Sequence, residues 1–238
     1  MRPGVARAAV SLLEAAGFDV RIPAGQTCCG QPARNAGDRT SAERIARHTI
    51  AVLVGDDPVV VPSASCAGML IHHFPALLAT DPVAVVAARA LAARTVELTD
   101  FLHTHATQAP AVAGEGRSIA FHDSCSALRE CGVSRQPRAL LQAAGFETCD
   151  ATDLETCCGF GGSFAVKFPE ISASMGTRKL DALLATGATD IAACDMGCLM
   201  HLAGLALRRG DRLAFRHVAE LLADGGQGPA IGTTGSGR

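Results

Sequence analysis

The stretch Cys157-Cys158-Gly159-Phe160-Gly161-Gly162 decides the reading of this chain, because its first three residues also stand earlier as Cys28-Cys29-Gly30. Each doublet is followed about forty residues on by a single cysteine, Cys198 and Cys66. Adjacent side chains on an extended strand point to opposite faces, so two neighbouring thiols reach one centre only where the chain turns sharply. A glycine next in line permits that turn. It also lets backbone N–H groups approach closely, where they offset the negative charge of ligated thiolates. Thiolate is a soft ligand suited to iron–sulfur clusters, zinc or copper(I). Structural zinc sites more usually carry C-x-x-C pairs, and neither half of the sequence has one.

Outward from the doublets, two segments line up as an internal repeat. Residues 5–16 place Val5, Ala9, Leu12, Leu13 and Ala16 at helical spacing and stop at Gly17, before a strand-like run at 18–22. Residues 138–144 stop in the same way at Gly145, before a strand at 146–149. Beyond each doublet a second helical pattern, 42–54 and 169–185, leads to a short apolar strand, 59–61 and 190–193, and then to a turn bearing the third cysteine. Strands alternating with helices imply an α/β fold of two tandem pseudo-repeats. Each is expected to have a small, largely parallel sheet flanked by helices, with cysteine-bearing loops at the C-terminal ends of the strands.

The expected division is a first repeat at 1–110, a second at 111–223 and a loose glycine-rich tail at 224–238, with Pro110, Gly114 and Gly116 marking the junction. A strand at 117–121, running into His122-Asp123-Ser124-Cys125, has no counterpart in the first repeat. By the spacing from Cys125 to Cys157, its equivalent cysteine would fall a few residues before Met1. The first repeat is therefore short of one strand and one thiol, either because the start is assigned too far downstream or because the strand was lost.

Composition bounds the function. The chain has 238 residues, is 48% hydrophobic and has a formal net charge of −2, enough apolar material for a substantial core without disulfide staples. No block of Lys or Arg points to nucleic acid or an anionic membrane surface. No stretch approaches the roughly 18 apolar residues of a membrane span, and the N-terminus lacks the pattern of a secretion signal. A reducing cytoplasmic setting follows, in which cysteine patterns mark metal or catalytic sites.

The phrases Gln26-Thr27-Cys28-Cys29-Gly30-Gln31-Pro32, Pro62-Ser63-Ala64-Ser65-Cys66-Ala67-Gly68-Met69, Cys157 through Lys167, and Gly197-Cys198-Leu199-Met200-His201 resemble those of the CCG cysteine-rich domain family. The likeness covers nearly the whole chain and falls nearest to the iron–sulfur subunits of three-protein L-lactate oxidation complexes. It implies electron transfer during oxidation of lactate to pyruvate, alongside a ferredoxin-like iron–sulfur protein and a third small subunit. It also implies that Cys125, Cys157, Cys158 and Cys198 form a complete ligand set for a 4Fe–4S cluster. In relatives with full motifs that cluster is of an unusual non-cubane kind. Cys28, Cys29 and Cys66 are the surviving set of the first repeat, short of one ligand. The family pattern ends in Cys-x-x-Cys, whereas here Met69 and His201 stand at the last position. Glycolate-oxidising, glycerol-3-phosphate-oxidising and heterodisulfide-reductase-like complexes share the pattern, and a zinc-holding assembly module is the non-redox alternative.

Other residues carry weaker signals. Cys194 precedes Cys198 by four positions and offers a fifth thiol, but reads rather as packed; Cys131 and Cys149 have no repeat partner and read the same way. His122 and His201 lie three residues from Cys125 and Cys198, placed either to hydrogen-bond a sulfur or simply to cap and solvate. His72, His73, His103 and His105 read as solvated, and Lys167 either faces an anion or is a wetted helix residue. Gly159-x-Gly161-Gly162 fits neither a dinucleotide nor a Walker spacing. A Cys125–His122 nucleophile lacks any marked orienting group.

Overall fold

The computed structural model describes residues 2–106, 114–152 and 154–232. In the first half the β-branched run Val59–Val61 forms β1, which pairs in parallel with β2, Thr95–Glu97. In the second half β3 (Ser118–Phe121), β4 (Glu147–Asp150), β5 (Asp190–Ala193) and β6 (Ala214–His217) make a parallel sheet in the order β4-β3-β5-β6. The central strands are apolar at consecutive positions because both faces are covered. Ile119, Phe121 and Ala192 enter one core, while Ala120, Ile191 and Ala193 enter the other.

Each half keeps an outer core of its own, one around Phe74, Leu78 and Leu91, the other around Leu180, Leu199 and Leu202. A third core lies between them and draws on both. Leu12 and Leu13 of the helix Pro3–Ala15, with Leu98 and Leu102 of the helix Leu98–His105, pack there against Leu141, Val218 and Leu222. Burying a leucine side chain contributes about 1.5–3 kcal/mol, so this shared layer fixes how the halves meet.

The helix Pro3–Ala15 opens on a proline whose missing N–H costs nothing at that position. It is cut off by Gly17, at φ 90°. Arg39–Val52, Arg135–Ala143 and Pro169–Leu184 lie within three residues of the periodicity-based bounds. The strands at 59–61 and 190–193 fall where the sequence puts them.

The expected strand at 18–22 does not form. Its repeat partner β4 is held by β3, and among the described residues the first half has no equivalent of β3 to pair with. Phe18 packs instead edge-on against Phe101, with ring centroids 5.0 Å apart. β2 and β6 escape the sequence reading, each a short run with charged residues. Cys66 and Cys198 were expected in turns but lie in the opening turns of the helices Ala64–Gly68 and Met196–Arg209. Ser63 and Asp195 leave the strands in extended conformation and stand directly before those helices.

The junction residues 107–113, with Pro110, lie outside the described residues. Within the segment expected to be a loose tail, Ile231 N donates to Phe215 O at 2.8 Å, Ala230 and Ile231 are buried, and Arg2 Nη2 donates to Pro229 O at 2.5 Å. Residues 233–238 lie outside the described residues. No described helix is long and apolar enough to cross a membrane.

Candidate metal centre

The second-half site is built at the C-terminal end of the parallel sheet. β3 continues into His122, whose backbone N donates to Ala192 O at 2.8 Å, and then delivers Cys125. Arg138 fixes this loop by a two-pronged pair with the buried Asp123, at 2.8 and 2.7 Å, while its guanidinium covers the Phe121 ring at 4.8 Å. The doublet turn brings in Cys157 and Cys158. Gly159 sits there at φ 85°, and a Cβ would lie 2.5 Å from Ser172 O, so glycine is required both for the backbone conformation and for the space. The helix Met196–Arg209 supplies Cys198 from its opening turn.

These elements bring all four thiols together as one contiguous group. Neighbouring sulfurs meet in the order Cys125, Cys157, Cys158, Cys198, each close enough to shift the ionisation of the next. Those contacts hold the Cys157 thiol far down and, with His122, bring Cys198 down to about 6, against the opposing effect of burial. Cys125 and Cys158 are pushed up by the same neighbouring sulfurs and by burial. Gly159 N donates to Cys157 Sγ at 3.3 Å, and the Phe160 and Ser126 amides act on Cys158 and Cys125. A cluster of thiols sharing protons and facing several N–H donors suits a cation or a thiolate-ligated cluster, which would replace those protons. His122 joins them: its nearest ring nitrogen and the Cys158 and Cys198 sulfurs all lie within 4.8 Å of one another.

The first-half site repeats the design in part. Gly30, at φ 84°, makes the same turn, with Ile45 Cγ2 3.1 Å from where a Cβ would stand. Cys29 donates to Cys66, which that bond brings down to about 7 while Cys29 is pushed up. The Gln31 amide acts on Cys29 as the Phe160 amide does on Cys158. Cys28 is exposed, near enough for its charge to act on Cys29, and borders a cavity of about 360 Å³ lined by Thr27, Arg44, Ile45 and His48. Three thiols thus gather here against four in the second half. The two sites approach each other, since the helix Gln31–Ala36 packs on Ser163–Lys167. Lys167 Nζ there donates to Ala36 O at 3.5 Å rather than facing an anion.

Several residues fall elsewhere. Cys194 is fully buried in the shared core, 4.0 Å from Thr99 Oγ1, on the opposite face of β5 from the core that holds Cys158 and Cys198. Cys131 donates to Ala64 O at 3.3 Å, and Cys149 lies on the edge strand β4. His201 meets Ser172 Oγ at 3.4 Å, and burial lowers its pKa. His72, His103 and His105 are exposed as expected, His72 also meeting Glu130 O at 2.6 Å, whereas His73 is half-buried and pairs with Glu130 Oε1 at 2.7 Å.

Sequence reasoning missed the polar knot between the halves. Asp195, 3% exposed, accepts from Ser63 Oγ at 2.8 Å, Ser65 Oγ at 2.6 Å, Ser65 N at 3.0 Å and from Ser124 Oγ. Nearby Glu97 caps the helix Leu98–His105, accepting from Thr99 N at 2.7 Å, and burial pushes its carboxyl up to about 7. The correspondence of Ser63 with Asp195, each three residues before its cysteine, was the available signal.

The cysteine-rich domain (CCG) family matches residues 1–71 and 119–203. Lactate utilization protein A of Shouchella clausii is 39% identical over 92% of this chain and 92% of its own length. Lactate utilization protein A 2 of Bacillus cereus is 37% identical over 94% and 93%, and lactate utilization protein A of Exiguobacterium is 37% identical over 94% and 92%.

Proposed function

Because the chain belongs to the cysteine-rich CCG domain family, we propose that it is a cytoplasmic iron–sulfur electron-transfer subunit of a complex oxidising L-lactate to pyruvate. One observation carries this reading: Cys125, the Cys157–Cys158 doublet and Cys198, widely separated in sequence, gather into one group of sulfurs that shift one another's ionisation. Four thiolates are the usual complement of an iron–sulfur cluster. Lactate enters through the names of the relatives.

When bound, such a cluster takes up and releases single electrons, whereas lactate oxidation releases two electrons and two protons. The residues of this chain do the holding. Cys125, Cys157, Cys158 and Cys198 supply the thiolates of one centre, and the amides of Ser126, Gly159 and Phe160 lower the cost of their charge. Cys28, Cys29 and Cys66 supply a second, three-thiolate set. The hydroxy acid is bound elsewhere in the assembly, and a ferredoxin-like iron–sulfur protein with a third small subunit completes the electron path.

Anaerobic purification tests the reading. The protein is expected to be brown, with broad visible absorbance, iron and acid-labile sulfide; colourless protein containing stoichiometric zinc overturns it.

A further inference from the structure

Among the described residues His122 is an anomaly: it is 0% exposed, and neither Nδ1 nor Nε2 has a nitrogen or oxygen partner, its one polar contact being the Cys198 sulfur, which it helps to bring down. The other fully buried histidine, His217, is by contrast satisfied on both sides, by Ala219 N at 3.2 Å and Cys194 O at 3.0 Å. His122 is also not free to swing away, since its backbone extends the β3–β5 ladder and Asp123 beside it is clamped by Arg138. What its ring faces is sulfur.

We propose that His122 is a nitrogen ligand of the second-half metal centre, which makes that centre a mixed imidazole–thiolate site; the proposal rests on the metal-binding reading of the site given above. The ligand atoms of His122, Cys158 and Cys198 lie within 4.8 Å of one another. Around one tetrahedral ion, with metal–nitrogen bonds near 2.0 Å and metal–sulfur bonds near 2.3 Å, such atoms stand roughly 3.5–3.8 Å apart. A contraction of at most about 1 Å therefore closes the triangle on a metal. His201, the other imidazole three residues from a ligand cysteine, is engaged by Ser172 and wedged beside Gly176 and the Phe160 ring. The donation is of a neutral lone pair, with no change of oxidation state. A neutral nitrogen beside the four thiolates leaves the centre less negative, and easier to reduce, than a further thiolate would.

The test is pulsed electron paramagnetic resonance on the reduced, anaerobically purified full chain, grown with ordinary or ¹⁵N-labelled histidine. Expected is an imidazole-nitrogen coupling that responds to the label, survives in His201→Asn and is lost in His122→Asn. If His122→Asn does not fold, His122→Cys serves in its place, keeping a ligand while losing the coupling and lowering the midpoint potential. Iron and sulfide without any nitrogen coupling, or a coupling that follows His201, overturns the proposal and leaves the iron–sulfur reading intact. If iron and sulfide are absent, that reading fails, and Co²⁺ titration of the same chain decides the ligand. Ligand-field bands that move to longer wavelength in His122→Cys support it, and bands unchanged by that substitution overturn it.

Discussion

Ser63 and Asp195 hold the same place in the two halves, each directly before the helix whose opening turn carries the third cysteine, and their side chains are hydrogen-bonded to one another at 2.8 Å. Neither side chain caps its own helix. Asp195 instead accepts the Ser65 amide, so the carboxylate of one half caps the helix of the other. The bond ties the loops of Cys66 and Cys198 into one buried knot.

Asp195→Ala leaves the hydroxyls of Ser63, Ser65 and Ser124 without their shared acceptor. Hydrogen bonds to a charged group contribute about 1.5–3 kcal/mol each, not additively, so a loss of about 3–5 kcal/mol is expected in urea unfolding. Asp195→Asn should cost less, since one acceptor oxygen remains. A loss below about 0.5 kcal/mol in Asp195→Ala, as for an ordinary surface site, contradicts the knot.

Glu97 makes stability depend on pH. Burial raises its carboxyl from 4.5 to about 7, so between those values the folded chain binds more protons than the unfolded one. Its contribution is full below pH 4.5 and is lost as pH rises through about 7. The loss amounts to at most about 3 kcal/mol, at 1.36 kcal/mol per unit. Glu97→Gln should flatten the stability profile across that window in denaturant titrations; an unchanged slope there rules out Glu97 as its source.

Gly159→Ala and Gly204→Ala should move in opposite directions. The first forces a Cβ to within 2.5 Å of Ser172 O at a left-handed φ, which is expected to cost about 2 kcal/mol or more and to displace the Cys157 and Cys158 sulfurs. The second lies in the helix Met196–Arg209 with open space around it, and should stabilise by about 0.5–1 kcal/mol. Thermal or urea unfolding of the pair checks both signs at once.

Cysteine-to-serine substitutions should sort by site. Cys157→Ser, Cys158→Ser and Cys198→Ser should abolish or strongly reduce the metal bound in the second half. Cys131→Ser and Cys149→Ser should leave its stoichiometry unchanged, since neither sulfur reaches the thiol chain. Cys66→Ser should affect only the first-half set. Metal analysis of each purified variant reads the result directly, and equal losses in Cys149→Ser and Cys158→Ser would speak against the assigned site.

Much of this was legible in advance for local reasons. The stops at Gly17 and Gly145, the apolar runs that became β1 and β5, and the Cys-Cys-Gly turns all depend on residues close in sequence. Their spacing therefore carries the information. The run at 18–22 misled because a strand needs a partner, and its periodicity carries no record of whether one exists. β2 and β6 were hidden because Glu97, Arg216 and His217 break the apolar pattern while serving as caps and cross-strand contacts.

The two-fold repeat, the α/β class and the assignment of thiols to each half were already present in the order of residues, because doublet spacing and helix–strand alternation are properties of the chain before it packs. Packing in three dimensions was needed to show that the halves share a core, that Asp195 caps its neighbour's helix, and that His122 is left with only sulfur to face. Those outcomes come from burying apolar faces of helices far apart in the chain, which sets polar side chains against partners that no local spacing encodes.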